Sequence, residues 1–168
     1  MWDLLPDGAV LGGAPLNFAY RLNSLGTETK PVSCLGRDQL GQKAMDKIQT
    51  LGVTCDCIFM TSEKPTGQVH VQFDESGQPF YTIQEDVAYD IIPFHEKVKI
   101  VVSKATVICF GTLAQRQVVS RDTLTSMLDM AQEALIIFDI NLRQRHYTKE
   151  IIISSLQRAN ICKLNDEE

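Results

Sequence analysis

The chain has 168 residues, 44% hydrophobic and 22% charged, a composition that supports a packed globular core and excludes a disordered chain. Its 16 basic and 21 acidic residues give a net charge of −5 with no Lys/Arg-rich run, so nucleic acid and anionic membrane are not expected partners. No apolar run approaches the ~20 residues that cross a bilayer, and Met1-Trp2-Asp3 carries no basic, signal-like start.

The first stretch, "MWDLL", is too short to serve as a central first strand. An apolar strand end at Val10-Leu11 then meets Gly12-Gly13, and a helix pattern follows over 15–25. Pro15 suits its first position, where a missing N–H costs nothing. Phe18, Leu22 and Leu25 stand at i, i+4 and i+7 on one face, and Gly26 is a left-handed cap. "KPVSCLG" reads as a buried strand. "RDQLGQKAMDKIQTLG" is a second helix, with Leu40, Ala44, Ile48 and Leu51 on one face and Gly52 as its stop, and "VTCDCIFM" returns as a strand. Two helices that each end in "LG" and feed a strand predict α/β units and a mainly parallel sheet.

The middle changes period. Residues 66–83, "TGQVHVQFDESGQPFYTI", alternate Val69, Val71 and Phe73 with Gln68, His70 and Gln72. "DESG" makes a turn, which predicts an antiparallel hairpin with one apolar face and a solvated His70. A two-stranded flap is marginal alone, so the hairpin at 67–83 is expected to cover a surface as a lid, against a second copy of the protein.

The α/β rhythm resumes near Lys99. "TVICF" and "LIIFDI" are buried strands; between them Leu124, Met127, Leu128 and Ala131 keep helix spacing, with Ser120 as N-cap and Met127 and Met130 as core fillers. A short helix capped by Thr148 and a strand "NICKL" complete the pattern. Cys34, Cys109 and Cys162 read as small strand hydrophobes, and the Cys55/Cys57 pair lacks the second pair or histidines a zinc site needs, so it also reads as strand. Such cysteines fit a reducing, cytoplasmic compartment. Asn165 with Glu168 three residues on is a helix-start signal, so the 168 residues read as a piece of a longer protein.

Three stretches can carry chemistry. Gly12 and Gly13 allow positive φ and close approach of a ligand to a helix start, and Asn17 offers one donor and one acceptor there; a tight turn with a capping amide is the alternative. The pattern is neither G-x-G-x-x-G nor G-x-x-x-x-G-K-[ST], so no phosphate cradle is indicated. "FDINLRQ" places Asp139, Asn141 and Arg143 beyond a strand's carboxyl end, where α/β sheets bind ligands; an Asp–Arg pair tying down a loop is the alternative. Asn165 and Glu168 could hold hydrated Mg²⁺ or phosphate, or cap a helix.

"GGAPLNFAYRLNSLG", "GRDQLGQKAMDKIQTLGV", "PTG", "FDINLRQ" and "NDEE" follow in the order of the PfkB (ribokinase-like) carbohydrate kinases, which the whole chain resembles. The "WDLLPDG…LGGAPLNFA" opening and the "FDxNLR" strand end look most like those of fructokinases. The resemblance implies a ribokinase-like αβα sandwich with a mainly parallel sheet and a β-hairpin lid, here truncated at both ends, residues 1–168 being one partial sugar-kinase domain. It implies ATP-dependent, Mg²⁺-assisted phosphorylation of a sugar hydroxyl and a homodimer through the lid. On it, Asp3, Gly12, Gly13 and Asn17 are sugar contacts, Arg143 a substrate or phosphate contact, and Asn165 and Glu168 the N-x-x-E motif that organises Mg²⁺ and phosphate without direct ligation.

The family's catalytic aspartate lies in a D-T-x-G-A-G-D block whose amides form the anion hole. No such block occurs among the 168 residues, so neither the catalytic residue nor the ATP-binding part is expected here. Fructose is the first substrate implied. 2-Keto-3-deoxygluconate, ribose or a nucleoside is the alternative within the family, and a non-catalytic sugar-binding or dimerising module the alternative outside it.

Overall fold

Capping and glycine chemistry places the elements of the first half. β1 (Trp2–Leu5) and β2 (Gly8–Leu11) turn back on each other, and α1 (Ala14–Ser24) starts from Gly13 at φ 111°. Gly26, at φ 85°, closes α1 while Thr27 N–H donates to Leu22 O. β3 (Ser33–Gly36) leads to α2 (Gln39–Thr50), capped by Asp38, and β4 (Ile58–Thr61) runs parallel to β3. β5 (Gln68–Phe73) and β6 (Pro79–Ile83) are the antiparallel hairpin.

In the second half, α3 (Glu96–Val102) precedes β7 (Val107–Gly111), α4 (Val118–Met130), β8 (Leu135–Asp139), α5 (Lys149–Arg158) and β9 (Ile161–Lys163). The computed structural model describes residues 1–73 and 79–168. The turn expected at "DESG" and the Phe73 side chain lie outside the described residues.

The chain forms two compact units, Met1–Tyr89 and Asp90–Glu168. The first holds a four-stranded mixed sheet in the order β2-β1-β5-β6 and the parallel pair β3-β4. Its core gathers Trp2, Ala19, Leu35, Ala44, Ile48, Val53 and Ile58, and the Trp2 indole donates to Leu40 O. The second unit is a parallel sheet, β7-β8-β9, with Phe110 and Phe138 stacked 5.1 Å apart. A buried bidentate pair, Arg116 to Asp90 at 2.7 and 2.8 Å, stands in that unit, and Ser120 and Thr123 tie α4 to both backbone groups of Ile92. The mixed α/β architecture with mainly parallel sheets matches the sequence reading.

Several expectations are corrected. "MWDLL" is an interior strand, paired to β2 on one side and β5 on the other; four residues suffice because Trp2 anchors it in the core. α1 turns Leu16, Ala19 and Tyr20 inward and leaves Leu25 exposed. The helix carries two apolar stripes, and its tethers, Asn23 Nδ2 to Gly52 O and Thr29 Oγ1 to Ala19 O, fix which one is buried. Cys55 and Cys57 lie in the loop before β4, where Ile58 N–H turns back to Cys55 O. Ser120 is buried inside α4 rather than capping it; Gln117 is the cap position, and Met130 is exposed.

The hairpin's apolar residues Val69 and Val71 are already buried within the chain, which removes the ground on which a dimer was expected. They are covered because β5 pairs with β1 and enters a four-stranded sheet instead of projecting alone. His70 is exposed, as expected.

Candidate active site

The first cluster is built from β1, the β2–α1 turn and the first turn of α1. Antiparallel pairing puts Asp3 opposite Val10, and Gly12 N–H extends the ladder to Met1 O at 3.1 Å. The Asp3 carboxylate therefore lies against Gly12: a Cβ on Gly12 would stand 2.4 Å from Asp3 Oδ2. Gly13 is the N-cap of α1, and no side chain caps the helix. Asn17 is exposed, and its N–H makes the first helical bond to Gly13 O at 3.0 Å.

Among the described residues the Asn17 amide has no hydrogen-bond partner, so the capping-amide alternative does not describe it. Nor does the half-buried Asp3 carboxylate accept a hydrogen bond there. Burial raises the Asp3 carboxyl above its ordinary value. The charge of the nearby amino terminus opposes that rise, so the carboxylate lies between a cationic group and bare glycine backbone. Asp3, Gly12, Gly13 and Asn17 are thus brought into one contiguous patch.

The second cluster belongs to the other unit, at the carboxyl end of its parallel sheet. β8 and β9 align Asp139 with Lys163, and the Lys163 ammonium sits 2.9 Å from Asp139 Oδ1. That bond raises the Lys163 amine. The Asp139–Arg143 pairing considered from sequence is not formed; Arg143 is exposed and donates to Leu142 O at 2.9 Å. Lys163 is the residue that sequence reasoning missed. Its signal was the parallel alignment of "IFD" with "ICK".

Asn165 and Glu168 form a complete capping box. Asn165 Oδ1 accepts from Glu167 and Glu168 N–H, and Glu168 Oε2 accepts from Asn165 N–H at 3.1 Å. Glu168 Oε1 also accepts from Leu142 N–H at 2.9 Å, which ties this box to the β8 turn one residue before Arg143. Both carboxylate oxygens are thus engaged with backbone amides. Among the described residues no group of three or more His, Cys, Asp or Glu gathers to hold a metal ion, so these side chains do not fit a self-contained Mg²⁺ cage. Burial pushes the thiols of Cys34 and Cys109 up to about 11.

The profile of the pfkB family carbohydrate kinases matches residues 8–168. The chain belongs to the pfkB family. Two curated relatives are similar to this chain. An uncharacterized sugar kinase of Pyrococcus horikoshii is 28% identical over 164 residues, 94% of this chain and 53% of that protein. A fructokinase of Salmonella typhimurium is 25% identical over 179 residues, 99% of this chain and 58% of that protein.

The chain thus spans between half and three-fifths of the length of these relatives. The Pyrococcus horikoshii kinase has been solved in complex with ATP; this chain matches it with a TM-score of 0.85 at 26% identity, covering 96% of this chain and 59% of that one. The fold alone is shared with a Xylella fastidiosa fructokinase solved with bound ATP, at a TM-score of 0.88 and 23% identity over 99% of this chain and 56% of that one. Among the described residues no helix is long and apolar enough to cross a membrane.

Proposed function

We propose that the protein to which this chain belongs is an ATP-dependent sugar kinase acting on a hydroxyl of fructose or a closely related sugar, with residues 1–168 supplying part of one sugar-kinase domain. The observation that carries this reading is the half-buried Asp3 carboxylate packed on Gly12, at the start of the helix whose first turn exposes Asn17. A carboxylate accepts two hydroxyl protons and an amide both donates and accepts, which is the complement a polyol presents. Family membership and the fructokinase relative support the choice of sugar over other hydroxyl compounds.

Arg143 is read as the substrate or phosphate contact, since its guanidinium stays exposed beyond a strand end. Asn165 and Glu168 are read as the element that fixes the nearby turn for Mg²⁺ and phosphate, not as metal ligands. ATP and Mg²⁺ are assigned to the whole protein. The catalytic aspartate and its glycine-rich anion hole are assigned outside these 168 residues, so the isolated chain is expected to show no turnover. A pairing of two copies through the β2-β1-β5-β6 sheet is kept on different grounds from the buried valines: Leu5, Val10, Phe80 and Tyr81 remain exposed on that sheet. The cysteine pattern of the sequence is the ground for a reducing, cytoplasmic setting.

A coupled ADP assay of the full-length protein over fructose, ribose, 2-keto-3-deoxygluconate and nucleosides tests the reading. Fructose turnover supports it. Turnover of an acidic sugar or nucleoside alone rejects the fructose assignment, and turnover of none rejects the kinase.

A further inference from the structure

The motif "GRDQLG" and the later "PTG" meet in a knot that an ordinary helix cap does not require. Asp38 caps α2 with one oxygen: Oδ1 accepts from Gly41 N–H at 2.7 Å. The same oxygen accepts the Thr66 hydroxyl at 2.8 Å, and Oδ2 accepts Thr66 N–H at 2.7 Å. Thr66 is fully buried, and its hydroxyl oxygen in turn accepts Gly36 N–H at 2.9 Å.

Three glycines leave the knot no slack. A Cβ would stand 2.0 Å from Gly36 O at Gly41, 2.6 Å from Thr66 N at Gly36, and 2.4 Å from the Tyr89 ring at Gly67. These are backbone or packed ring atoms, so the close approach is obligatory. Burial by itself would raise the Asp38 carboxyl, but the Thr66 and Gly41 donors outweigh it and hold it below its ordinary value.

The knot stands where the chain enters β5. Gly67 O, one residue on, accepts Trp2 N–H at 2.9 Å, the first rung of the β1–β5 pairing. Asp3 follows Trp2 on that strand. We propose that Asp38, acting through Thr66, is a positioning residue for the sugar site: it fixes the start of β5 and thereby the placement of β1 and the Asp3 carboxylate. The sugar-specific part rests on the reading of Asp3 as a sugar contact. Asp38 touches no substrate in this role.

Asp38→Asn separates the tie from the cap. The amide oxygen still accepts from Gly41, while its NH₂ is set against the Thr66 N–H, donor against donor. Thr66→Val removes the hydroxyl and Thr66→Ser keeps it. In the full-length protein, Asp38→Asn and Thr66→Val are expected to raise the sugar KM about tenfold, the loss one buried hydrogen bond carries. The ATP KM is expected to stay within about twofold, since ground-state sugar contacts alone are changed. Thr66→Ser is expected to restore the sugar KM.

Amide exchange at Trp2 supplies a readout independent of activity and should accelerate about tenfold in the first two variants. Sugar and ATP KM rising together overturns the proposal, as does an unchanged sugar KM with altered melting. A wild-type protein that turns over no sugar rejects the kinase reading; the Trp2 exchange then decides the knot, and unchanged exchange in Asp38→Asn overturns it.

Discussion

Gly12→Ala isolates the Asp3 carboxylate from the fold. Gly12 does not need positive φ, so alanine is tolerated by the backbone; what it meets is a side-chain tip, Asp3 Oδ2, at 2.4 Å. Ordinary contact begins near 3.4 Å, so the carboxylate must withdraw by about 1 Å. Displacing it into a poorer rotamer costs about 0.5–1.5 kcal/mol. In a chain of this size that lowers Tm by no more than about 6 °C. The carboxylate then misses its hydroxyl partner, and a hydrogen bond to a charged acceptor contributes about 1.5–3 kcal/mol. Sugar affinity should therefore fall roughly 10- to 150-fold. Calorimetric titration of the full-length protein with fructose, beside thermal unfolding, measures both. The loss should vanish when Gly12→Ala is made in an Asp3→Asn background, because the two changes remove one interaction. Wild-type affinity in Gly12→Ala, or a full additional loss in Asp3→Asn, would refute the assignment of Asp3 to the sugar.

Asn17→Ala should weaken sugar binding by about 0.5–1.5 kcal/mol while leaving thermal unfolding near wild type, since the exposed amide ties nothing among the described residues. Gly41→Ala should do the reverse of what an exposed helical glycine does: overpacking of about 1–3 kcal/mol against Gly36 O exceeds the ~1 kcal/mol gain in helix propensity, and a raised Tm would refute the contact. The Asp38 carboxyl is depressed in the folded chain, so its contribution is complete above the unfolded value of about 3.9 and disappears as pH falls through the lower native value. Urea unfolding followed from pH 6 downward should show a shallower acid limb in Asp38→Asn than in wild type.

Most of the fold was legible because its signals are local. Helix stops at Gly26 and Gly52, the Thr148 cap and the period-2 alternation at 68–71 each act within a few residues, and the structure places an element at every one. What was misread depends on partners distant in sequence. "MWDLL" looked too short for an interior strand because its second neighbour, β5, is sixty-odd residues away. Ser120 has the chemistry of an N-cap, yet it spends its hydroxyl on Ile92 N–H across the unit. Local propensity cannot report such a claim on a side chain. α1 offered two apolar stripes of equal periodicity, and only its tethers to Thr29 and Gly52 choose between them.

The site divides along the same line. Gly12, Gly13 and Asn17 were readable together because they lie within one turn and the helix start that follows, whereas Asp3 came only from the family resemblance, and the tight hairpin of β1 on β2 sets it against Gly12. The alternative that paired Asp139 with Arg143 rested on their closeness in sequence, whereas strand register delivers Lys163. The consequence is physical. An Asp139–Arg143 pair would have neutralised the guanidinium inside its own loop. With Lys163 meeting Asp139, Arg143 keeps its charge exposed at the sheet's carboxyl end and donates to the carbonyl of Leu142, whose N–H is fixed by Glu168. Asn165 and Glu168 thereby gain a role that needs no metal at their own oxygens: they set the backbone from which Arg143 projects. An anionic group arriving at that sheet end meets a cation whose carboxylate neighbours are already engaged, Asp139 by Lys163 and Glu168 by backbone amides.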